Sequence, residues 1–105
     1  MPWLYLLLAG LLEIVWAFAM KQSQGFSRPA ATAVTLIAML ASFGFLAAAM
    51  RTLPLGTAYA IWTGIGAIGA VVVGILFLGE AASPMRLAAA GLIVGGLVLM
   101  KLAEA

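Results

Sequence analysis

The chain has 105 residues, 67% hydrophobic and 8% charged, with a formal net charge of +2. Soluble domains are nearer 45–50% apolar and about 25% charged, so the composition excludes an ordinary soluble fold and predicts an all-α integral membrane protein forming a single domain, 1–105. No cysteine and no histidine means no disulfide, no thiolate chemistry and no imidazole ligand or base; three acidic residues leave no metal site, no cofactor site and no enzyme's machinery, and so small a net charge gives no sign of nucleic acid.

The first span covers residues 3–20 and carries its most informative residue, Glu13, in the middle of an apolar run. A charge at that depth costs about 2.5–3.5 kcal/mol on insertion scales. Folding does not require that cost, so Glu13 is read as a proton site, a cation site, or both. Gly10, Glu13 and Ala17 share a helical face, with Trp16 one turn beyond Glu13. Trp16 is either the aromatic wall of a site or an interfacial anchor. Ala17-Phe18-Ala19 has the small-x-small form of a signal-cleavage site. The segment before it contains a glutamate and lacks lysine and arginine, so it is expected to be a retained span.

The second span, 30–50, has Thr32, Thr35 and Ser42 as its polar residues. Ser42 lies nearest the middle; its hydroxyl either reaches a carboxylate on a neighbouring helix or bonds back to its own helix. The third span, 57–78, places Tyr59, Trp62, Thr63 and Gly66 on one face. Tyr59 and Trp62 supply a hydroxyl, an indole N–H and faces that attract cations, or else an interfacial belt. Gly64 and Gly66, followed by Gly69, mark a helix bend or, alternatively, close packing. The fourth span, 85–103, carries Gly91 and Gly95, a small-xxx-small face for dimer packing or for packing within the chain.

Glycine, proline or charge marks each connection. Lys21, Arg28, Arg51, Arg86 and Lys101 sit at span ends, where long basic side chains reach the interface. Glu80 falls in a loop and Glu104 at the terminus; none of these seven is assigned chemistry. Four spans place both termini on the side of the second loop, with Arg51 and Lys101. Lys21, Arg28 and Arg86 lie opposite. Two against three is almost no positive-inside bias, which predicts insertion in both orientations and permits an antiparallel homodimer. Four short helices also enclose little space, so a second copy is expected to bury Glu13.

A desolvated carboxylate facing a second copy of itself favours its protonated form. It would release a proton when a cation arrives and regain one when the cation leaves. Competition for that one site gives proton-coupled antiport, with protons as the coupling ion.

Glu13-Ile14-Val15-Trp16-Ala17, Lys21 to Phe26, and Gly56 to Gly66 resemble the small multidrug resistance family along essentially the whole chain. The stretch Ser27 to Ala30 and the third loop are less typical of it. The resemblance implies an antiparallel homodimer in the bacterial inner membrane that exchanges cations for protons, with Glu13 as the shared proton and substrate carboxylate. Trp16 is similar to the guanidinium-exporting members, whereas the polyaromatic-cation exporters carry a small residue there. By that likeness Ser42 and Trp16 orient Glu13, Tyr59 and Trp62 line the site, and the substrate is guanidinium or a small substituted guanidine. The rival expectations are export of quaternary ammonium and aromatic cations by the same exchange, and a non-transporting assembly subunit.

Overall fold

Proline opens three of the four helices. Pro2, Pro29 and Pro84 are the first residues of α1 (Pro2–Gln22), α2 (Pro29–Ala49) and α4 (Pro84–Ala103). At that position the fixed φ suits the helix and no intrahelical N–H is lost. α3 (Leu55–Phe77) starts directly after Pro54, which is extended. The structure, a computed structural model, describes residues 1–103; Glu104 lies outside the described residues. Among the described residues all regular structure is helical. The four helices fall on the four apolar runs, and each is long and apolar enough to cross a membrane. At about 1.5 Å per residue each reaches roughly 30–35 Å.

The connections are held by local bonds. After α1, three successive residues take positive φ: Gln24 at 50°, Gly25 at 74° and Phe26 at 67°. Such angles are uncommon outside glycine, and the buried Ser23 holds them. Its hydroxyl donates to the Met20 carbonyl at 2.6 Å and accepts the Phe26 N–H at 3.0 Å. Its own carbonyl accepts the N–H groups of Ser27 and Arg28 at 2.9 and 3.1 Å. After α3, Gly79 turns at φ 70° and lets the Glu80 N–H return to the Gly74 carbonyl at 3.0 Å, a left-handed helix cap. Ser83 then caps α4 by accepting the Arg86 N–H at 3.2 Å.

α1 packs along both α2 and α3, and α4 packs on α3. The outcome is a slab of 42 × 34 × 16 Å with a radius of gyration of 14.5 Å, against about 13 Å for a compact chain of this length. The buried apolar core is small: Leu6, Ala9, Leu46, Ala49, Ala58, Ile61 and Trp62. α4 contributes no buried residue. The thin shape leaves the three-helix layer α2–α1–α3 with a broad side uncovered, and the candidate residues lie in that layer.

Candidate functional site

Glu13 lies about 16 Å along α1 from Pro2 and about 13 Å short of Gln22. Its side chain rests on bare α3 backbone: a Cβ added to Gly66 would overlap the Glu13 carboxyl group and Cγ. The same seam seats Ile14 on Gly69 and Ile65 on Gly10. Glycine is required at these points because two parallel helices approach more closely than side chains permit. Glu13 Oε1 is buried with no hydrogen-bond partner among the described residues, and so is Trp16 Nε1. An acceptor and a donor left unmet at membrane depth are costly. That cost makes both groups candidates for a partner from outside the chain.

Ser42 is fully buried, and it joins three helices. Its hydroxyl donates across to the Ala9 carbonyl of α1 at 2.6 Å and accepts the Trp62 indole N–H of α3 at 3.0 Å. Thr32 and Thr35, by contrast, bond back to Arg28 and Ala31 in the preceding turn. A serine hydroxyl has one proton, and Ser42 gives it to Ala9. Trp16 Nε1 has no partner among the described residues. Neither residue therefore donates to Glu13 in this structure, which departs from the expectation that they orient it.

Four rings run across the layer. Trp16 meets Phe43 edge-on at 6.4 Å, Phe43 meets Trp62 at 5.8 Å, and Tyr59 lies 5.5 Å from Trp62. Trp62 is buried, while Phe43 and Tyr59 are 44% and 53% exposed. Sequence reasoning missed Phe43; the available signal was an aromatic residue beside the one mid-span serine of its helix. Gly64 receives Leu97 of α4 as Gly66 receives Glu13. α3 stays helical from end to end through both glycines, so what they visibly supply is room. Gly91 and Gly95 face open space, with nothing within 4 Å of an added Cβ. Among the described residues no group of acids could hold a metal ion.

Residues 1–93 match the profile of the Small Multidrug Resistance protein family. The chain is 57% identical over 102 residues, 97% of its own length and 97% of theirs, to proteins named guanidinium exporter from Citrobacter freundii and Salmonella typhimurium. It is 55% identical over the same coverage to the protein of that name from Escherichia coli strain K12.

Proposed function

Since the chain belongs to the small multidrug resistance family, multi-pass transporters of the bacterial inner membrane, we propose that it exports guanidinium and small substituted guanidines in exchange for protons, working as an antiparallel homodimer. The observation that carries this reading is Glu13 Oε1, an acceptor buried at mid-span without a donor among the described residues. A proton or a donor-rich cation satisfies it, and the two compete. Guanidinium is planar and offers paired N–H donors that match a carboxylate bidentately, and its face stacks on aromatic rings such as Trp16. The named relatives support the substrate class. Transport of this kind needs no resident cofactor and no enzyme chemistry.

Ser42 enters this reading as a pin for Trp62 rather than as a direct ligand of Glu13. Tyr59 and Trp62 supply the aromatic lining. The thin slab, the α4 face at Gly91 and Gly95, and the near-equal charge of the two sides support a second, inverted copy. Such a copy would close the uncovered side and bring a second Glu13 to the site.

The test is uptake into proteoliposomes under an imposed proton gradient, with guanidinium and with a quaternary ammonium dye as cargo. Guanidinium uptake is expected in the native protein. Glu13→Gln removes the titrating group and should lower uptake to background, at least about 100-fold, in line with several kcal/mol of lost charge interaction. Uptake that survives this substitution overturns the mechanism. Dye uptake without guanidinium uptake selects the multidrug reading, and neither would favour an assembly role.

A further inference from the structure

The α1–α3 seam continues past Glu13. Beyond Ile14 it opens into a crevice of about 140 Å³ lined by residues that include Ile14, Ala17, Phe18, Lys21, Ala70 and Glu80. That is roughly ten times the space one water requires. The crevice begins at Ile14, the residue after Glu13, and ends near Lys21 and Glu80, where α1 and α3 reach the surface.

Glu80 is held over that mouth while remaining partly open to water. The Gly79 turn carries it back across the end of α3, its N–H bonds the Gly74 carbonyl at 3.0 Å, and its carboxyl lies where a Cβ on Gly74 would be. Oε1 accepts from Arg86 Nη2 at 2.9 Å, and both side chains are more than one-third exposed. This end of the molecule also carries Lys21 and Arg28. Among the described residues Glu80 is the one acid there, against three bases. A cation approaching this end meets a repulsive field except at that carboxylate. Arg86 presents to Glu80 the functional group assigned above to the cargo, and a pair this exposed exchanges readily.

We propose that Glu80 forms a second cation-binding site, at the mouth of the α1–α3 crevice, where a guanidinium ion exchanges with the Arg86 side chain. The proposal rests on the guanidinium reading of the transporter for its ligand. Two measurements test it. In Glu13→Gln protein in lipid nanodiscs, guanidinium chloride should shift the Arg86 side-chain ¹⁵N resonance while sodium chloride at equal ionic strength does not, and adding Glu80→Gln should abolish the shift. In proteoliposomes at low salt, Glu80→Gln should raise KM for guanidinium about two- to fivefold, more than it changes kcat, with the difference shrinking as salt rises. Arg86→Gln, which removes the resident competitor, should lower KM. An Arg86 resonance unmoved by guanidinium overturns the proposal, as does a KM that rises equally in both variants, the result of losing a structural ion pair. A native protein that failed to move guanidinium would overturn the transport reading instead; the resonance measurement would still decide the Glu80 site.

Discussion

Gly66→Ala adds one methyl group where the Glu13 carboxyl lies. Alanine is the better helix former by roughly 1 kcal/mol, so helix content by circular dichroism should hold or rise. Guanidinium uptake should fall at least about tenfold, because the carboxylate must leave its seat and lose more than 1.4 kcal/mol of substrate interaction. Uptake equal to the native protein would show that the seat does not matter. Ser42→Ala removes the acceptor of the Trp62 indole and the donor to Ala9. It should destabilise the protein by about 1–2 kcal/mol, read as earlier thermal unfolding in detergent and altered tryptophan fluorescence. Glu13 was legible at this scale because one charge inside an apolar run is an energetic anomaly without any fold in hand. The partners of Ser42 were not. A hydroxyl carries no label saying whether it bonds its own helix, a backbone carbonyl or a side chain, and only the crossing of α1, α2 and α3 settles that choice. Phe43 offered only its place beside Ser42 as a signal, and an aromatic ring in an apolar span stands out only once two tryptophans close on it.

At the scale of elements, the four helices were readable because apolar run length and proline position agree. Pro2, Pro29, Pro54 and Pro84 place the starts within two residues of the run boundaries. The glycines of α3 were harder. Their spacing suggested a bend as readily as close packing, and the structure shows them as seats for Leu97, Glu13 and Ile14. Ser23, which stabilises three consecutive left-handed residues, stood in a recognisable motif with no evident purpose. On α4, Gly91→Leu or Gly95→Leu meets open space within one chain, so monomer secondary structure should persist. If a second copy covers that face, the same variants should reduce cross-linked dimer and transport together. Full dimer yield in both would remove α4 from the interface.

For the whole molecule, Arg51 and Lys101 sit at one end and Lys21, Arg28 and Arg86 at the other. Arg51→Gln with Lys101→Gln should break this near balance and insert the chain with the first and third loops in the cytoplasm. The chain lacks native cysteine, so single cysteines placed in those loops report orientation cleanly through membrane-impermeant labelling. Native protein should label from both sides and the double variant from one, with transport lost unless an oppositely biased copy is co-expressed. Native protein that labels from one side alone would rule out dual insertion. The arrangement of helices as a slab, with α4 packed on α3 and burying none of its own residues, was not legible. Apolar runs show which residues avoid water but not whether lipid or protein covers them.

The bonds at Ser42 have a mechanical consequence. One hydroxyl gives its proton to the backbone of α1 and takes another from an indole on α3. Rotating α1 by a single residue, about 100°, would break its attachment to Ser42 and leave the hydroxyl tied to α3 alone. Ser42 thus resists separate movement of the three helices by the cost of one or two hydrogen bonds, each about 1 kcal/mol. On the proposed exchange, a motion that presents Glu13 first to one compartment and then to the other is expected to carry α1, α2 and α3 together at this point. By the same measure the α4 contact, which buries none of its residues, offers less resistance.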